Sequence, residues 1–169
     1  FNNLDLKSKL GIDFFNSSYR AIGNDWYQVK YHNIASQNII EPFGIFEFNH
    51  SSNEKIDYEI GFRYHYYELD TDNYTTKTSL SSDDRQNYAW SLGANYNLQN
   101  GQKLFTHVSR AYRSPRLDEI ISLIKPSPSH THIKHQYSND IELGYEVNVE
   151  RKRYKASIFR TLIKNQIYL

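Results

Sequence analysis

From Asp57 to Tyr66 the side chains alternate without a break: Tyr58, Ile60, Phe62, Tyr64 and Tyr66 take one parity, and Asp57, Glu59, Gly61, Arg63 and His65 the other. Successive side chains point to opposite faces only in an extended chain, so the stretch predicts a β-strand with one apolar and one polar face. The pattern returns. Tyr88, Trp90, Leu92, Ala94, Tyr96 and Leu98 oppose small and polar residues, and Ile141, Leu143, Tyr145 and Val147 oppose Asp140, Glu142, Gly144 and Glu146. Leu4 to Phe14 has the same form, with Leu6, Leu10 and Ile12 opposed by Lys7, Lys9 and Asp13. Less regular alternation over 39–49, 103–112 and 154–168 completes about seven strands. Helical spacing is almost absent, so the class expected is all-β.

The spaces between these segments say how they are arranged. They run long at about 16–38, short at 50–55, long at about 70–86, short at 99–102, long at about 113–137 and short at 150–153. In an antiparallel up-and-down meander, alternate connections lie at opposite ends of the sheet. One end therefore carries tight turns and the other long loops, which is the asymmetry of an outer-membrane barrel. Tyr58 and Tyr66 bracket Ile60 and Phe62, and Tyr88 and Tyr96 bracket Trp90, Leu92 and Ala94. Eight residues tilted by about 40° rise roughly 20 Å, close to the ~25 Å apolar band between aromatic girdles. Phe62, Trp90, Leu143 and Tyr145 are expected to face lipid.

Composition fits that choice. The chain has 15 Tyr and 9 Phe, yet its mean hydropathy is only −0.76, so its apolar residues cannot wrap a second packed layer and must sit on one face. A net charge of +1 gives no footprint for nucleic acid, and the absence of Cys leaves no disulfide framework or thiolate metal site. No run approaches the ~18 apolar residues of a membrane-spanning helix, and no signal sequence opens the chain. Phe1, the lack of Met and an end at Leu169 within an apolar stretch predict a piece of a longer protein. Seven strands predict an arc of a larger barrel, because known single-chain barrels begin at about 8.

A short echo runs through the strands: LGIDF at 10–14, IGFRY at 60–64, LGANY at 92–96 and LGYEV at 143–147. Each places a glycine on the polar face. Glycine inside a strand marks a bend or a close approach, so a curved sheet with a crowded polar face is expected.

Three stretches in order, LFTHVSRAYRSPRLDEI (104–120), YSNDIELGYEV (137–147) and YKASIFRTLIKNQIYL (154–169), resemble the C-terminal part of the barrel in TonB-dependent outer-membrane receptors. The resemblance implies that residues 1–169 are part of a 22-stranded transmembrane β-barrel in the outer membrane of a Gram-negative bacterium, without a plug domain of their own. It further implies TonB-dependent uptake of a scarce nutrient such as a ferric siderophore, haem or cobalamin. The partners would be outer-membrane lipid, the receptor's own N-terminal plug, the TonB complex acting through that plug, and the nutrient or metal chelate. No enzymatic activity and no resident cofactor are expected. Where the family usually shows Lys-Pro-Glu before the second motif, this chain has Lys134, His135 and Gln136.

The break after Arg113 has a local explanation. Ser114 is placed to cap a short helix, Pro115 to begin it, and Asp118 and Glu119 to meet the positive end of its dipole. Arg110 and Arg113 at the rim are candidates for anionic ligand groups or for loop and plug carboxylates. His130, His132 and His135, in the long loop, are candidates for metal or haem. Arg63, His65, Glu142 and Glu146 on the polar face are expected to line the lumen and oppose the plug. Two alternatives are a passive porin-like barrel and an outer-membrane hydrolase, the latter using His107 and Ser109 on one strand face with Asn95 alongside.

Overall fold

The computed structural model describes residues 4–24, 30–50, 55–73, 78–79, 86–119 and 134–166. One antiparallel sheet contains every strand: β1 (Leu4–Asn24), β2 (Lys30–His50), β3 (Ile56–Asn73), the two-residue β4 (Thr78–Ser79), β5 (Gln86–Asn97), β6 (Gln102–Arg113), β7 (Gln136–Val149) and β8 (Lys152–Lys164). The seven long strands follow one another in chain order across the sheet, and β4 pairs only with the end of β3. This is the meander that the alternation and spacing predict. A helical turn at 117–119 is the one departure from extended structure beyond turns and loops among the described residues.

The first gap is a correction. Residues 16–38, expected as a long loop, are mostly strand: β1 and β2 stay paired from Leu4↔His50 up to Asn24↔Lys30, leaving only 25–29 between them. The period-two signal fades over 16–38 because beyond the lipid band both faces of a strand meet water. The backbone ladder still satisfies its own donors and acceptors there. At about 3.3 Å per residue and a tilt near 40°, a 21-residue strand rises roughly 50 Å, twice the ~25 Å apolar band. The first hairpin therefore stands well clear of the membrane at the loop end. At the other end the turns are tight. Asn100 and Gly101, with φ of 60° and 72°, form the two left-handed positions of the β5–β6 hairpin, closed by Gln102 N–H donating to Gln99 C=O at 3.4 Å.

The two faces differ in the expected sense. Among the described residues, the buried core hydrophobics are Ala35, Tyr67, Leu69 and Leu117, all in one cluster where the 114–119 segment lies against β2 and β3. We call this face inner. Large apolar side chains crowd the other face: Phe62 is 52% exposed, Leu143 54% and Ile158 74%. A soluble sheet would cover such a surface, whereas a barrel wall presents it to lipid. Phe62, Trp90, Leu143 and Tyr145 all take the outer parity.

All four echo glycines lie on the inner face. A methyl group built on Gly11 would meet the Phe43 ring at 2.6 Å, and one on Gly144 would overlap the Phe105 ring. The close approaches are aromatic rings from the neighbouring strands lying across bare backbone. Gly61 is similarly covered by Ser91, while Gly93 has only ordinary contacts.

Candidate functional site at the loop end of the inner face

The inner face near the loops carries a continuous polar network that begins at a gap in the sheet. β2 and β3 pair from Asn33↔Asn73 to Ile40↔Tyr66 and again from Phe43↔Arg63 to Phe48↔Tyr58, skipping Glu41 and Pro42. Proline has no N–H to give to a ladder, so the rungs fail there while β1 still pairs with both residues. Side chains take over the cohesion. Arg63 Nη1 donates to Glu41 Oε2 at 2.7 Å and to Asp13 Oδ2 at 2.8 Å, and its guanidinium lies 4.9 Å from the Phe43 ring centre. His65 Nδ1 meets the other Glu41 oxygen at 2.6 Å, and the Tyr112 hydroxyl donates to that same oxygen at 2.9 Å.

The Tyr112 bond reports the shape of the sheet. It joins β6 to β2 across three strand spacings, about 14 Å along a flat surface and beyond a tyrosine's reach. By register Tyr112 shares the outer parity of Arg110, yet its hydroxyl reaches the inner face, because the sheet curls with that face inside and because β6 leaves β5 after Trp90↔Arg110 while staying paired with β7 to Arg113↔Gln136. The freed end of β6 turns inward and carries Ser114 with it.

Ser114 Oγ lies 2.9 Å from His65 Nε2 and 3.2 Å from His135 Nδ1. With Glu41 ionised and His65 neutral, the protons run one way: His65 Nδ1–H donates to Glu41, Ser114 O–H donates to His65 Nε2, and His135 Nδ1–H donates to Ser114. The order carboxylate, imidazole, hydroxyl is that of a hydrolytic relay, but the described residues around it do not complete such a site. Pro115 removes the N–H next to the hydroxyl that an oxyanion hole would use, and His135 occupies the hydroxyl's remaining side. The arrangement is a brace between loop and wall. His107 and Ser109, the candidate hydrolytic pair, share the inner parity of β6 with no hydrogen bond between them; His107 sits opposite Gly93 and Glu142.

The helical turn starts two residues later than expected. Glu119 Oε2 accepts the Arg116 N–H at 2.8 Å, which makes Arg116 the capping position and Leu117 the first helical residue. Ser114 does not cap; its hydroxyl is committed to the two histidines. Glu119, only 3% exposed, also pairs with Arg113 and with Arg116. Burial pushes its carboxyl up, but the Arg116 N–H and the Arg113 guanidinium outweigh that and hold it below the usual carboxylate range. A folded pKa below the unfolded one means the anchoring is fully present above the ordinary value of 4.5 and is lost as pH falls through the folded value. Protection of the 112–119 amides, taken relative to their intrinsic exchange rate at each pH, should therefore fall on acidification below that range in the wild type. In Glu119→Gln protection should be low already at neutral pH; equal protection in both would contradict the anchor.

The other expected site residues fall as follows. Arg63 and His65 belong to the network. Glu142 and Glu146 are on the inner face, Glu142 beside Lys155 at 3.5 Å and the buried Glu146 with Arg153 at 2.7 Å and Lys103 at 3.7 Å. Arg113 pairs with a loop carboxylate, one of the two roles expected of it. Arg110 points the other way: it takes the outer parity, between the rings of Tyr88 and Tyr137. His135 is buried, with its ring 5.3 Å from that of Tyr67, and serves the brace. His130 and His132 lie outside the described residues. Among the described residues no three His, Cys, Asp or Glu side chains are grouped to hold a metal ion. Glu41 and Tyr112 went unnoticed in the sequence; the one available signal was a proline inside a strand pattern.

The model for the family "TonB dependent receptor-like, beta-barrel" matches the chain over residues 1–169. No curated protein matches the chain.

Proposed function

Since the chain belongs to the TonB-dependent receptor β-barrel family, we infer that it forms wall and mouth of an outer-membrane receptor that captures a scarce nutrient for TonB-driven uptake. The observation that carries the reading is the brace. A receptor mouth must hold its loops over the lumen in a defined pose, and here the segment entering the longest loop is tied to the wall by Glu41, His65, Ser114 and His135. Binding groups presented from a rigid base lose less entropy on capture than groups on a free loop. Ferric siderophore, haem and cobalamin are the ligand classes in view. The plug, drawn on by the TonB complex, would close the lumen against Arg63, His65, Glu142 and Glu146.

Deleting 124–133 from the full-length receptor tests this. The barrel should assemble as before, with its heat-modifiable electrophoretic shift intact, while equilibrium binding of the nutrient weakens by about tenfold or more. Unchanged affinity for all three ligand classes, with wild-type uptake, would remove the loop from capture.

A further inference from the structure

Nothing in ligand capture uses the outer face of β5 to β8, yet that face carries an organised cluster of positive charge. Arg110 is in phase with the outward Leu104, Thr106 and Val108. Its guanidinium carbon lies 4.6 Å from the centre of the Tyr88 ring and 4.5 Å from that of Tyr137, so two aromatic faces hold the planar cation in place. Its Nε is buried with no hydrogen-bond partner among the described residues. Lys164 sits opposite Tyr137 and Arg160 opposite Ile141, both exposed and on the same outer parity.

Among the described residues of β5 to β8, no carboxylate takes the outer parity. Asp140, Glu142 and Glu146 alternate to the inner face, where the last two are served by Lys103, Arg153 and Lys155. None of Arg110, Arg160 and Lys164 enters an ion pair among the described residues. Tyr88 and Tyr137 form the aromatic row at the loop end, the level at which hydrocarbon gives way to headgroups. A fixed cation facing outward at that depth needs an anion that the described residues of this face do not supply and the membrane can. Guanidinium recognises phosphate through paired N–H donors, and the long stems of Arg160 and Lys164 let their charges reach up to the same level.

We propose that the loop-end outer face of β5 to β8 is a binding site for the phosphate-bearing headgroup of an outer-leaflet lipid, with Arg110 as its anchor and Arg160 and Lys164 as flanking charges. The site orients the wall in the bilayer and holds one annular lipid in place.

The test uses the full-length receptor in detergent, equilibrated with bis-phosphorylated lipid A, the same glycolipid stripped of phosphate, or phosphatidylcholine, with bound lipid read by native mass spectrometry. The phosphorylated glycolipid should be retained and the other two lost. Arg110→Gln should weaken its retention by about tenfold, whereas Arg110→Lys should keep part of it. If Arg110→Gln fails to assemble, Arg160→Gln with Lys164→Gln decides, since it leaves the tyrosine clamp intact and should still lower retention severalfold. Equal retention of the stripped glycolipid, or no loss in either variant, overturns the site. Competition by inorganic phosphate at equal concentration would assign it to a soluble anion and overturn the lipid assignment.

Discussion

Phe62→Arg should destabilise folding into bilayers by about 2–4 kcal/mol, the cost of a charge at the midplane of a barrel's lipid face. Phe62 lies between Gly44 and Trp90 on the outer face, halfway along the stretch from Tyr58 to Tyr66. No inner side chain is within its reach, and a guanidinium there has hydrocarbon on every open side. Tyr58→Arg, four residues nearer the turn end of the same strand, should cost about 0–1 kcal/mol because the charge reaches the interface. Urea unfolding of full-length protein refolded into phosphatidylcholine vesicles measures both. Equal costs at the two depths would mean that this face meets something other than a membrane.

The second large effect is expected inside. Glu41→Ala removes the acceptor shared by Arg63, His65 and Tyr112, strands the imidazole and phenol donors, and leaves Arg63 with Asp13 alone. Stranding buried donors and breaking a partly buried charge pair should together cost about 2–4 kcal/mol. Glu47→Ala, an exposed carboxylate on the same strand, should stay within about 0.5 kcal/mol. Limited proteolysis separates brace from general stability: Glu41→Ala should expose the 112–119 segment to cleavage while the sheet remains intact. Protection equal to that of the Glu47 variant would place the brace elsewhere.

How much of this could be read from residues depends on where water is. Strands β3, β5 and β7 were legible because lipid on one side and lumen on the other force strict alternation, as from Tyr58 to Tyr66. Above the band that force vanishes, and residues 16–38 looked like loop although their backbone continues the ladder. Arg110 shows a different limit. Its phase with Val108 and Thr106 already points outward, whereas its position at the rim suggests ligand anions or loop and plug carboxylates. The brace was least legible. Its members come from β2, β3, the end of β6 and the start of β7, and no spacing within one segment foretells that Glu41 and Tyr112, 71 residues apart, share a hydrogen bond. Only the Glu-Pro step within β2 hinted that the ladder would need support there.

The glycines under Phe43 and Phe105 have a consequence for the geometry of the closed ring. A wall that bends must be shorter along its inner circumference than along its outer one, as the stones of an arch taper toward the opening. At Gly11 and Gly144 the inner course is reduced to backbone, and a ring from the adjoining strand slides into the space where a side chain would have held the strands apart. Each such pair works as a tapered stone that lets the neighbouring strands turn toward the inner face. The wall thus bends most readily at the places where the chain has no side chain at all.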